Sequence, residues 1–120
     1  MREAIIQIRN GDEQILAESG SRFKQVWNSG EAAPALFTFS SPAQLFSVIS
    51  PKRWALIEHL QHMGTMSIRG LARSLGRDVK RVHEDVIALI EWGLIERDGD
   101  GPVCVPFDVI HAGFDLRAVA

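Results

Sequence analysis

The sequence predicts an α+β fold, in which a run of helices is flanked by short strands. Two amphipathic helical segments lie close together in residues 67–93, separated by a short turn. After Gly93 the apolar spacing changes from helical to extended, which predicts a β-hairpin closed by a tight turn at residues 98–101. Short apolar runs in residues 1–9 and 35–40 predict two further strands near the amino terminus.

The two helices of residues 67–93 are each predicted from one apolar stripe. Ser67 precedes the first helix as its N-cap, and Gly76 supplies the backbone freedom that ends it. Asp78 is the N-cap of the second helix, and Gly93 closes it. The stripes comprise Ile68, Leu71, Ala72 and Leu75, then Val79, Val82, Val86, Leu89 and Ile90. Two helices joined by a short turn containing glycine form a helix-turn-helix motif.

Two more helices are predicted upstream, because Pro42 and Pro51 each occupy a first helical position after a serine. The second of them supplies the first helix of a three-helix core and ends at Gly64. Three helices followed by a hairpin make a winged helix-turn-helix domain, which we predict over residues 41–120. A final strand is predicted in residues 108–116.

Residues 1–40 are predicted to form a separate strand-helix-strand segment, whose helix spans residues 12–28. A segment of this size cannot bury both faces by itself. It is therefore expected to pack on a second copy of the chain or on a partner protein. Simple packing against the carboxy-terminal domain remains open as an alternative.

Composition indicates a globular protein of a reducing compartment. The only cysteine, Cys104, excludes an intramolecular disulfide. The chain has neither the apolar core of a signal peptide near its amino terminus nor an apolar run long enough for a membrane span. The sequence therefore predicts a cytoplasmic protein that does not enter a membrane.

The charge is distributed unevenly, although the formal net charge is only −2. Residues 51–83 contain seven basic and two acidic side chains and carry +5, so the remainder carries −7. A basic surface on an acidic protein favours attraction of phosphate at one place. A solvated helix face gives the same charge pattern, so charge alone does not decide between the two. Basic charge placed on a helix-turn-helix pattern is stronger evidence for nucleic acid.

The runs SPAQLFSVISPKRWALIEHL, LARSLGRDVKRVHEDV and GLIERDGDG resemble the MarR-like winged-helix regulators over residues 41–116. The resemblance is to a compact subfamily of DNA-binding proteins and antitoxins. It implies double-stranded DNA as a partner, a homodimer formed through the amino-terminal region, and repression of the protein's own operon. For some members it also implies a cognate toxin protein. In related sequences a Glu, which would complete a capping box, usually stands where this chain has Gly70. We expect the glycine to make the start of this helix less stable.

The second helix of the motif carries the predicted base contacts, because the first turns of a recognition helix point at base edges. We predict Arg81 and Arg77 as base readers, since an arginine fork matches the two major-groove acceptors of guanine. Lys80 is better suited to phosphate. Glu84 either accepts a bond from a cytosine amine or orients Arg81 or Lys80, and orientation is favoured.

Contacts to the DNA backbone are predicted at the starts of two other helices, from Ser67, Arg69, Lys52 and Arg53. Arg73 is left out of this set, because a position at the back of the motif stays open for it. Arg97 is the one wing side chain able to approach a minor groove, and the acidic turn beside it is expected to add little affinity.

No catalytic or metal-binding pattern is recognised. The sequence has no Gly-rich phosphate loop, no nucleophile elbow and no paired carboxylates in a predicted pocket. The four histidines and Cys104 lack zinc-ligand spacing. We therefore predict a sequence-specific transcription regulator, a dimeric repressor with a possible antitoxin role, that is not an enzyme and needs no cofactor. The alternative is a protein-interaction module in which the winged helix serves as scaffold and the amino-terminal segment captures a partner.

Overall fold

A computed structural model describes residues 2–9, 33–116 and 118. Within these ranges the chain has the predicted α+β composition, with four helices and two small sheets. The elements are β1 (Glu3–Ile8), β2 (Ala35–Phe39), α1 (Pro42–Val48), α2 (Pro51–Met63), α3 (Ile68–Leu75), α4 (Val79–Trp92), β3 (Glu96–Arg97), β4 (Val103–Cys104) and β5 (Val109–Ala112). The helix predicted over residues 12–28 lies outside the described residues. No helix in the described ranges is both long enough and apolar enough to cross a membrane.

The chain divides into two compact units, one made of Met1–Ser47 with Phe107–Ala120 and the other of Val48–Pro106. We call these the sheet unit and the helical unit. The division differs from the predicted segments 1–40 and 41–120, because α1 and β5 belong to the sheet unit. Strand pairing explains the position of β5, which is hydrogen-bonded to β1 although the two strands lie near opposite ends of the sequence.

Among its described residues, the sheet unit has three parallel strands in the order β2-β1-β5. In the centre of the sheet, Ala4 lies opposite Ala35 on one side and Ile110 on the other. Four of the six residues of β1 are buried, which matches the near-continuous apolar run expected of a central parallel strand. The final strand, predicted over 108–116, is present as the shorter β5 (Val109–Ala112).

The helical unit packs one face of each of its three helices into a common core. The fully or nearly fully buried side chains are Leu56, Ile57 and Leu60 of α2, Leu71 and Ala72 of α3, and Val82, Val86 and Leu89 of α4. The predicted stripe of α4 is confirmed for these residues but wrong for Val79, which is 44% exposed. Val79 is the first residue of α4 and lines a surface depression beside Arg69 instead of entering the core.

The boundaries of α3 and α4 follow the predicted caps. The Ser67 hydroxyl accepts a hydrogen bond from the Gly70 amide at 3.0 Å, and a carboxylate oxygen of Asp78 accepts one from the Arg81 amide at 3.2 Å. Gly76 ends α3 in the left-handed region at φ 66°. Because glycine has no side chain, Gly70 returns no bond to Ser67, so only one half of a capping box forms.

We expect Ser67→Ala to lower the free energy of unfolding by about 1 kcal/mol, because the Gly70 amide loses its acceptor. Urea unfolding followed by circular dichroism measures the change. Ser67→Asp is the matched control, since it keeps an acceptor at the cap and should stay close to the wild type. Equal destabilisation by both substitutions would show that the loss of stability does not come from the missing acceptor.

The predicted hairpin is present, with β3 and β4 antiparallel and Arg97 opposite Val103. Its turn is closed by a 2.8 Å hydrogen bond from the Gly101 amide to the Asp98 carbonyl. The strand predicted to begin at Leu94 is shorter in the structure and begins at Glu96. The reason is helix capping, since the amides of Leu94 and Ile95 donate to the Leu89 carbonyl at 3.0 and 3.4 Å and so belong to the end of α4.

Candidate nucleic-acid interface

Five basic side chains of the helical unit are exposed, four near the starts of α2, α3 and α4 and one in the last turn of α3. They are Lys52, Arg69, Arg73, Lys80 and Arg81, and we call this set the basic face. Among the described residues, none of the five side chains makes a hydrogen bond or an ion pair. Their charge is therefore not neutralised by a direct partner in this part of the chain.

Three shallow depressions connect the members of the basic face. The first is lined by Lys52, Arg77, Arg81 and Glu84, among others. The second is lined by Arg69, Arg73, Arg77 and Val79. The third runs from the starts of α3 and α4 to the hairpin, and its lining includes Ser67, Arg69, Lys80 and Arg97. Because Arg77 is shared by the first two depressions and Arg69 by the last two, they form one continuous surface.

This arrangement brings together all the predicted DNA-contacting residues except Arg53, which lines none of the three depressions. Arg53 instead takes part in a network of ion pairs centred on Asp85. The Arg53 Nε lies 3.0 Å from Asp85 Oδ1, and the Arg77 Nη2 lies 2.7 Å from Asp85 Oδ2. Arg53 Nη1 also donates to the carbonyl of Val48 at 2.7 Å. We call the set of Arg53, Arg77 and Asp85 the Asp85 clamp.

The clamp links three parts of the helical unit. Arg53 is in the first turn of α2, Arg77 is in the turn between α3 and α4, and Asp85 is in α4. The three side chains are only 16% to 23% exposed, so their attraction is screened less than that of a surface pair. The clamp therefore restrains the start of α4 relative to α2.

A family model matches residues 48–112 of the sequence, which is more than half of the chain. The chain belongs to the HVO_A0114 family. The HVO_A0114 match covers the whole helical unit and extends through β5. It therefore includes every residue of the basic face and of the Asp85 clamp. No curated protein matches the chain.

The geometry of the clamp bears on two of the predicted contacts within the HVO_A0114 match. Arg77 is predicted as a base reader and Arg53 as a phosphate contact, but both guanidinium groups bind Asp85. The arrangement favours a structural role for both. Arg81, in contrast, is exposed at the start of α4, and its side chain has no hydrogen bond or ion pair within the described residues.

Two other predicted residues have partners or surroundings that differ from expectation. Arg97 donates from Nε and Nη2 to the carbonyls of Gly101 and Asp100, at 3.2 and 3.1 Å, so its guanidinium holds the hairpin turn. Glu84 was expected to orient Arg81 or Lys80, but no hydrogen bond or ion pair joins it to either in the part of the chain that the structure describes. Glu84 is exposed beside Arg81 without holding it.

Sequence reasoning missed two residues of this surface. Arg73 was left out of the predicted contacts because its position was open; it is exposed and lines a depression with Arg69. Its spacing of four residues from Arg69 was the available signal, because such residues share one face of a helix. Asp85 had no comparable local signal, since Arg53 is 32 residues away in sequence.

Proposed function

We propose that the protein is a sequence-specific DNA-binding transcription regulator whose helical unit acts as a winged helix-turn-helix. In this proposal α3 and α4 are the two helices of the motif, α4 is the recognition helix, and the β3–β4 hairpin is the wing. The order of three helices and a hairpin supports the assignment, as do the caps that define the turn between α3 and α4.

The observation that carries the proposal is the position of the basic face around the start of α4. The major groove of B-DNA admits one α-helix, and the first turns of that helix reach base edges. Arg81 lies in this region with its guanidinium exposed, so it is the proposed base reader. The other four members of the basic face line the same depression or the two connected to it, and they are the proposed phosphate contacts.

The proposal also includes a homodimer and repression of the protein's own operon, as the resemblance to MarR-like regulators implies. The sheet unit is the proposed site of dimerisation, in keeping with the assignment of this role to residues 1–40. Leu36 supports it, because it is 48% exposed in β2, which is an edge strand of the sheet that the described residues form. An antitoxin role, with a toxin as an additional partner, is compatible with this arrangement and rests on the resemblance alone. No cofactor or catalytic group is required.

Binding to DNA upstream of the coding sequence, measured at several salt concentrations, tests the proposal. Each phosphate contact contributes about −0.9 to the slope of log affinity against log salt concentration. Four contacts in each protomer therefore predict a slope of about −7 for a dimer. A scrambled duplex of the same length is the control and should bind much more weakly. A flat salt response, or equal binding of the scrambled duplex, would remove the repressor function.

A second function, as a protein-interaction module, is favoured by an exposed aromatic pair in the sheet unit. Phe46 of α1 and Phe114 beyond β5 pack edge to face with their ring centroids 6.2 Å apart. Both rings remain substantially exposed, and aromatic residues are enriched in protein interfaces. This function gains support if the upstream duplex is not preferred in the salt experiment.

A further inference from the structure

Asp85 is shared by two cationic side chains that the sequence alone would assign to DNA. Its Oδ1 is paired with Arg53 at 3.0 Å and its Oδ2 with Arg77 at 2.7 Å, so both carboxylate oxygens are in use. An arginine held in this way has less of its fork available for a second anion. Arg53 is tied further by its hydrogen bond to the Val48 carbonyl.

Two members of the clamp lie within the proposed DNA-binding surface, and the third, Arg53, is paired with one of them. Asp85 and Arg77 line the same depression as Lys52, Arg81 and Glu84. A released arginine in this place would lie close to the DNA backbone in the proposed complex. Because phosphate is the same at every base pair, such an arginine would strengthen binding to all sequences and carry no sequence information.

We infer that Asp85 is a specificity-determining positioning residue, which withholds Arg53 and Arg77 from phosphate and restrains α4 so that Arg81 reads the bases. The inference rests on the proposed DNA-binding function and adds to it the source of discrimination against non-specific DNA. Discrimination depends on the ratio of specific to non-specific affinity. Asp85 raises that ratio by keeping the non-specific term small.

The test compares Asp85→Asn with Glu84→Gln, each in the full chain. Both substitutions keep the size of the side chain and remove one negative charge from the same depression. Only Asp85 holds arginines, since Glu84 has no ion pair among the described residues. The two variants therefore separate release of the arginines from a general change in charge.

For Asp85→Asn we expect tighter binding to the scrambled duplex and a lower ratio of specific to scrambled affinity. We also expect a salt slope that is steeper by about 0.9 for each released arginine that reaches a phosphate. Glu84→Gln should leave the slope and the ratio close to wild type. If both variants change the slope and the ratio equally, charge alone is responsible and the inference is wrong.

A purely structural role for Asp85 gives a different result. Lower stability without release of the arginines weakens binding to both duplexes by the same factor and leaves the salt slope unchanged, which would overturn the inference. The fraction of folded Asp85→Asn protein is measured by circular dichroism at each salt concentration, so that affinities refer to folded protein.

Arg77→Met provides a second variant that does not depend on the folding of Asp85→Asn. Methionine replaces the apolar stem of the arginine and removes its charge. The inference requires a slope close to wild type for Arg77→Met, whereas Lys52→Ala should make the slope shallower by about 0.9 per protomer. An equal loss of slope in the two variants would show that Arg77 contacts phosphate and would refute the inference. A wild-type protein that does not prefer its upstream duplex instead refutes the proposed function, so the two failures are distinguishable.

Discussion

Arg81→Ala is expected to weaken binding to the specific duplex by about 1–3 kcal/mol and to relax the preference at one base pair. The reason is that a bidentate arginine–guanine contact discriminates against the other bases. The helix start should survive the substitution, because Asp78 caps α4 through the backbone amide of Arg81, which alanine keeps. Competition binding against every single-base variant of the site measures both effects.

Lys52→Ala is the control for Arg81→Ala. Lys52 is a member of the basic face at the start of α2, and its point charge suits phosphate more than a base edge. Its loss should weaken binding to all sequences by about the same factor. If Arg81→Ala also leaves the sequence preference intact, the orientation proposed for α4 is wrong.

The helix pair α3–α4 could be predicted from the sequence because its signals are local. Ser67 and Asp78 cap amides three residues away, and Gly76 occupies the left-handed conformation that ends α3. The apolar spacing of the two helices likewise depends on neighbours within two turns. Such features do not require knowledge of the rest of the fold.

The sheet unit was harder to predict, because parallel strands require long connections and their partners are distant in sequence. The short strand at residues 1–9 was recognised, but its position between β2 and β5 was not. The pairing with β5 is fixed by contacts such as that of Arg2, whose amide donates to the Asp108 carboxylate at 2.8 Å. Since these residues are 106 apart in sequence, no local pattern relates them.

The candidate interface shows the same division between local and distant signals. The exposure of Lys80 and Arg81 follows from the apolar stripe of α4, which fixes the opposite face of the helix. Arg77 has the same chemistry as Arg81 and was predicted, like Arg81, to read bases. Its pairing with Asp85 depends on the tertiary structure that also brings Arg53 to the same carboxylate.

The sheet topology changes how dimerisation can be tested. A chain beginning near residue 41 lacks β1 and β2, so β5 loses the strand to which it is hydrogen-bonded. Such a truncation disrupts the sheet unit whether the dimer contacts lie in residues 1–40 or in residues 108–116. Single substitutions at exposed positions of the full chain separate these two assignments.

We expect Leu36→Glu to produce a monomer whose affinity for the operator is about 10²- to 10⁴-fold lower, because each half-site loses its tethered partner. Leu36 is 48% exposed in β2, so a charge there can disrupt an apolar contact between protomers at little cost to the fold. Sedimentation equilibrium measures the oligomeric state. Nuclease protection on the wild-type complex should show two inverted half-sites one helical turn, about 34 Å, apart.

Phe114→Glu is the matched control, since Phe114 belongs to the same unit, is 39% exposed and follows β5. If residues 1–40 form the dimer contacts, this variant remains dimeric and keeps its affinity for the operator. A monomeric Phe114→Glu protein together with a dimeric Leu36→Glu protein would place the dimer contacts in the carboxy-terminal segment. Residues 1–40 would then be available for a partner protein, and the edge strand β2 would be the first place to look for its binding surface.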